Sequence, residues 1–175
     1  LWALGRIGDG RALPAALRAI DDREAIVREA AATALGQLDS SAAITALIRH
    51  LRQDPAAHVR RISAWALAQL EAKTADGALG EALANDKDAD VREMSAWAIG
   101  NLSIRQGNAA LLAAAKSDAD ERVRETAVWA IAERGDASAA GTVGDVLANE
   151  KNAAVRATAA WALGDLEPKT APRGL

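Results

Sequence analysis

The stretch Val27-Arg28-Glu29-Ala30-Ala31-Ala32-Thr33-Ala34-Leu35-Gly36-Gln37-Leu38 decides the fold, because it comes back four times. Its copies run from Val59 to Leu70, Val91 to Leu102, Val123 to Arg134 and Val155 to Leu166, each beginning 32 residues after the last. Trp2-Ala3-Leu4-Gly5 matches the end of one more copy, one residue short of the same register. A fixed period of this length is the signature of a stacked repeat array.

Within a copy, Val59, Ile62, Ser63, Ala66, Leu67 and Leu70 follow the i, i+3, i+4, i+7 rhythm of an amphipathic helix. Upstream, Ile44, Leu47, Ile48 and Leu51 keep the same rhythm, matched by Leu79 and Leu83, by Leu111 and Leu112, and by Val143 and Leu147. Each unit is therefore a pair of helices. Asp54-Pro55 marks the turn between them, with Asp54 expected as the N-cap and Pro55 at the first helical position. Asp22, Asp86, Asp118 and Glu150 fall at the place of Asp54.

A pair this short cannot bury two apolar faces alone and has to stack on its neighbours. The expectation is one all-α domain over 1–175, a right-handed α-solenoid of five two-helix repeats at 10–39, 40–71, 72–103, 104–135 and 136–167. Partial repeats at 1–9 and 168–175 each supply a partial helix, beside ten helices in five antiparallel pairs. Both ends fall within a repeat, so a fragment of a longer array that associates end to end is expected.

Composition fits close helix packing and excludes several functions. Of the 175 residues 50% are apolar and 26% charged, with no Phe, no Tyr and one Met, so small residues dominate the interior. A net charge of −3 offers no basic field for phosphates, which argues against a nucleic-acid or membrane-surface partner. Without cysteine there is neither a disulfide nor a thiolate metal site. No run is long and apolar enough to span a bilayer, and the cytoplasm is the default location.

The recurring pattern of an acid, five intervening residues, Val-Arg and then Ala-Trp-Ala-Leu-Gly resembles a HEAT repeat of the phycobilisome-lyase-like kind, over essentially the whole chain. The resemblance implies second helices on a concave face. It also implies a ladder of Asp22, Asp54, Asp86 and Asp118 with Arg28, Arg60, Arg92, Arg124 and Arg156, from which Glu150 departs in length.

Enzyme chemistry has little support, and no catalytic residue, metal ligand or cofactor is expected. His50 and His58, the only histidines, read as ordinary surface side chains. Gly5-Arg6-Ile7-Gly8-Asp9-Gly10 and Gly141-Thr142-Val143-Gly144 follow no strand, so neither is a phosphate loop. The arginines could contact phosphate, but each has an acid six residues earlier and is better read as structural.

All five tryptophans occupy one repeat position, which Thr33 fills in the first full copy. With Val59 at 0° and about 100° per residue, the core centres near 10° and Trp65 lies at about 240°. It shares that flank with Arg61 and Gln69. Two readings follow: a packing ladder in which each indole covers the next unit, or an indole stripe along the groove.

The second reading makes the site Trp65, Trp97, Trp129 and Trp161 with Arg61, Glu93, Asn101, Glu125, Glu133 and Asp165. That surface is mostly acidic and favours a protein or peptide with basic side chains. The expected function is thus a binding scaffold and not an enzyme. One rival, implied by the resemblance, is a subunit of a bilin-chromophore lyase. Another is a DNA-binding HEAT-like module of the kind found in some alkylpurine glycosylases, for which this groove lacks the basic charge.

Overall fold

The computed structural model describes residues 10–102 and 109–166. These form ten α-helices and no strand. In chain order they are α1 (Leu13–Ala19), α2 (Ala25–Gln37), α3 (Ile44–Gln53), α4 (Ala57–Gln69), α5 (Asp76–Asn85), α6 (Ala89–Asn101), α7 (Ala109–Ser117), α8 (Glu121–Arg134), α9 (Ala140–Asn149) and α10 (Ala153–Leu166). Odd-numbered helices are the first of each pair and even-numbered helices the second. The partial helices expected at the two ends, and Trp2, lie outside the described residues.

The core is a continuous row of aliphatic side chains. Leu35, Leu47, Leu51, Val59, Leu67, Leu79, Leu83, Val91, Ile99, Leu111 and Val123 are fully buried. Buried alanines and glycines at Ala34, Gly36, Ala66, Ala68, Ala98, Gly100, Ala130 and Ala132 let successive even-numbered helices approach closely. Each even-numbered helix packs extensively on the next, whereas the odd-numbered helices meet one another less. Closer spacing on one side of a stack curves it toward that side, so the second helices line the concave face.

Three of the second helices, α2, α4 and α8, end where the chain turns left-handed. Asp39, Glu71 and Gly135, one period or two apart, take φ of 46°, 45° and 62°. Gly135 does so without a steric cost, whereas the other two carry a Cβ. A single 3-10 turn then leads into α3, α5 and α9, at Ser41–Ala43, Lys73–Ala75 and Ala137–Ala139.

The turn inside each pair corrects one expectation. Asp54 does not cap α4: it is the extended residue that ends α3, and α4 begins at Ala57 with Ala56 at the N-cap. Its carboxylate instead accepts the Ala56 N–H at 3.0 Å, closing an Asx turn two residues ahead of the helix. Pro55 accordingly stands in the turn, ahead of the first helical residue. The side chains that cap are found two residues after the turn acid: Asp88 accepts from the Asp90 N–H, Asp120 from the Arg122 N–H, and Asn152 from the Ala154 N–H at 2.8 Å.

Candidate functional site

The arginines are structural. Arg28 donates Nε and Nη2 to the two carboxylate oxygens of Asp54, at 2.7 and 2.8 Å, and Nη1 to the carbonyls of Asp22 and Arg23. The fork recurs from Arg60 to Asp86 (2.7 and 2.7 Å), Arg92 to Asp118 (2.8 and 2.9 Å) and Arg124 to Glu150 (2.7 and 3.1 Å). Each guanidinium thus grips the carboxylate of the following repeat and the backbone carbonyl of the acid six residues before it. The longer Glu150 closes the same bidentate geometry as the aspartates.

Burial pushes the Asp54 carboxyl up, but hydrogen bonds from Arg28, the Ala56 N–H and His50 outweigh it and hold it at about 2. The Arg124 hydrogen bond, with the Asn152 N–H, holds Glu150 at about 2 against burial. Each guanidinium of these four rungs is committed to a carboxylate and a backbone carbonyl, and Arg156 makes only the carbonyl contacts, to Glu150 and Lys151, among the described residues.

His50 departs from expectation. It is buried at 7% exposure, with Nδ1 at 2.9 Å from Asp54 and Nε2 at 3.1 Å from Asp21. A neutral imidazole can donate to one of these carboxylates and an imidazolium to both. The ring sits on the buried side of α3, where the sequence pattern alone had placed it on the surface. His58 is exposed as expected.

On the concave face the indoles of Trp65, Trp97 and Trp129 are half-buried, and that of Trp161 is 48% exposed. Two of them, Trp65 and Trp129, pack on a glycine of the preceding repeat. A Cβ added at Gly36 would lie 3.1 Å from Cζ3 of Trp65, and one at Gly100 would lie 2.8 Å from Cζ3 of Trp129. The ring therefore occupies the space a side chain would need, while its other side remains accessible.

Trp65 and Trp97 line one pocket of about 350 Å³ between α4, α6 and α8, together with Arg61, Glu93, Asp90, Met94, Arg122 and Thr126. This volume is at the lower end of ordinary ligand sites. Of the residues expected at the site, four therefore meet in one cavity. Asn101 returns its amide to the carbonyl of Trp97, Glu125 accepts from the Thr158 hydroxyl at 3.1 Å, and Glu133 and Asp165 are exposed.

Arg122 is the residue sequence reasoning missed. Its guanidinium lies 2.9 Å from Asp90, 3.1 Å from Glu93 and 3.2 Å from Asp120. Hydrogen bonds to Asp120 and Asp90 raise its pKa. The acidic character expected around Glu93 is thereby reduced by one charge and not removed. The signal was present in the spacing, since Asp90 and Arg122 stand two helical turns before Trp97 and Trp129 and so share their flank.

Among the described residues no cluster of His, Asp and Glu could hold a metal ion, and no helix is long and apolar enough to cross a membrane.

A sequence model described as HEAT repeats matches residues 1–68, 44–107 and 75–164. The chain belongs to the HEAT-repeat family. Among solved structures, the complex of CpcE and CpcF of phycocyanin lyase from Nostoc sp. PCC7120 is similar with a TM-score of 0.74 and 23% identity, over 89% of this chain and 65% of that one. Human deoxyhypusine hydroxylase in complex with glycerol is similar over 94% of this chain and 66% of that one, with a TM-score of 0.43 and 23% identity. This HEAT array thus spans 65% and 66% of the length of the two solved chains. No curated protein matches it. The first likeness carries the fold expected of a phycobilisome-lyase-like HEAT protein.

Proposed function

We propose that this HEAT array is a scaffold that binds a protein or peptide segment along its concave face and performs no catalysis of its own. The observation that carries the reading is the pair of half-buried indoles, Trp65 and Trp97, that open into one cavity on the inner helices. Rings pinned on one side and accessible on the other lose little side-chain entropy on binding and offer a large contact area.

Helices packed about 8–10 Å apart spread the four indoles over roughly 24–30 Å. An extended segment at about 3.3 Å per residue covers that with some seven to nine residues. The exposed carboxylates of Glu133 and Asp165, with Glu125, favour basic side chains on the occupant.

The test is to replace Trp97 by Ala and measure both thermal midpoint and affinity for peptides selected on the intact chain. A loss of affinity in a folded variant supports the scaffold. Unchanged affinity in a destabilised variant would leave the indoles as packing alone.

The likeness to a two-chain phycocyanin lyase favours a second reading, in which this chain is one subunit of a bilin-handling pair. Mixing the chain with a linear tetrapyrrole would then change the pigment's absorbance spectrum, and an unaltered spectrum would count against it.

A further inference from the structure

Charge along the concave face is unevenly compensated. Arg122 is closed by three carboxylates, whereas Arg61 has no hydrogen-bond or ion-pair partner among the described residues. It is half-buried and lines the cavity of Trp65 and Trp97. Two and three repeats farther on, Glu133 and Asp165 are exposed and likewise unpaired among the described residues. A guanidinium beside indoles sheds part of its hydration and presents a planar fork of donors, which matches a carboxylate. Asp90 and Glu93 of the same cavity are held by Arg122, which leaves Arg61 as the charge there without a partner among the described residues.

We propose that the groove reads a bipolar segment: one side-chain carboxylate of the partner seats on Arg61 beside Trp65 and Trp97, and basic side chains farther along the same segment reach Glu133 and Asp165. This rests on the reading of the concave face as a peptide groove and names what that groove selects.

The spacing follows from the array. Successive inner helices about 8–10 Å apart put Glu133 and Asp165 roughly 16–20 and 24–30 Å from Arg61 across the stack. Both also lie eight positions later within the repeat, about 12 Å along the helix axis at about 1.5 Å per residue. The segment therefore crosses the groove obliquely. At about 3.3 Å per residue, the diagonals correspond to roughly six to seven and eight to ten residues between acid and base.

A synthetic library of labelled twelve-residue peptides tests this by fluorescence anisotropy. Its members carry lysine only, glutamate only, or one glutamate and two lysines at separations of three, six or nine residues, with Leu, Trp or Ala between them. Bipolar peptides with separations of six to nine should bind about tenfold or more tighter than lysine-only ones, the worth of one charge-assisted hydrogen-bonded pair.

Arg61→Gln should abolish that advantage, bringing bipolar peptides to the affinity of lysine-only ones, in a variant whose circular dichroism shows it folded. Arg61→Glu should invert the preference. Lysine-only peptides binding as tightly as bipolar ones, or an Arg61→Gln variant with the same preference as the parent, would overturn the inference and leave the scaffold standing. No binding by any member would overturn both.

Discussion

Asp54→Asn keeps the shape of the side chain that joins the first two complete repeats and removes its charge. In the native chain the two oxygens of Asp54 take Nε and Nη2 of Arg28, the Ala56 N–H and the His50 ring. Its side chain is 1% exposed and that of Arg28 10%. An amide turns an NH2 group toward one of those donors and leaves the guanidinium without an anion. Breaking a buried pair by removing one partner costs about 3–5 kcal/mol.

The carboxyl's own titration gives a second figure. Held at about 2 in the folded chain, against an ordinary 3.8, it contributes about 2–2.5 kcal/mol. Because the folded value is the lower one, this contribution is complete above about pH 4 and is lost as the pH falls toward 2. Urea unfolding followed by circular dichroism at pH 7, 4, 3 and 2.5 should therefore show Asp54→Asn less stable by about 2–4 kcal/mol at pH 7. The deficit should shrink at the acid end. A variant within about 0.5 kcal/mol of the parent at pH 7, the range of an exposed ion pair, would refute the reasoning. So would a deficit that stays constant to pH 2.5.

Four further outcomes follow from the indole stripe. Gly100→Ala should cost about 1–3 kcal/mol in urea unfolding, outweighing the helix propensity it gains, since its Cβ would stand 2.8 Å from Trp129 and 2.9 Å from the Ala130 Cβ. Gly164→Ala, with nothing within 4 Å, should stabilise by about 0.5–1 kcal/mol in the same assay. Trp97→Ala should lower stability by roughly 2–3 kcal/mol, about half the cost of removing a fully buried ring; equal stability by denaturant titration would show that the ring packs on nothing. Ala68→Gly, at the repeat position of Gly36 and Gly100, should let Trp97 settle deeper, seen as a blue shift of its emission when the other indoles are replaced by Phe.

The register of 32 residues was legible from the letters, and so were the helix pairs and the shared flank of the tryptophans. What the letters left open were contacts across the repeat boundary. An acid six residues before one arginine is also 26 residues after the arginine of the preceding repeat, and the stacking selects the second pairing for the carboxylate. Asp54 read as a cap because spacing shows that an acid precedes the helix without showing which residue first takes helical backbone angles. His50 read as exposed because its partners, Asp21 and Asp54, belong to turns of two successive repeats. Arg122 was missed because the flank residues considered lie four positions to either side of each Trp, and Arg122 stands seven before Trp129, in the first turn of its helix.

The packing ladder and the indole stripe were opposed readings of one position, yet the geometry makes each depend on the other. At Gly36 and Gly100 the missing side chain is the seat of the following repeat's ring, so the indole is fixed by the array's own register. A ring fixed in this way presents its free side at a constant spacing, which is what an extended occupant would meet. The seats alternate, however: Gly36 and Gly100 stand under Trp65 and Trp129, while Ala68 and Ala132 occupy the equivalent positions before Trp97 and Trp161. Trp97, above Ala68, is half-buried like Trp65 and Trp129, and Trp161, above Ala132, is the most exposed of the described indoles. Rings about 8–10 Å apart fall about every three residues of an extended segment at about 3.3 Å each, whereas a helix at about 1.5 Å per residue would need about five to seven residues between them.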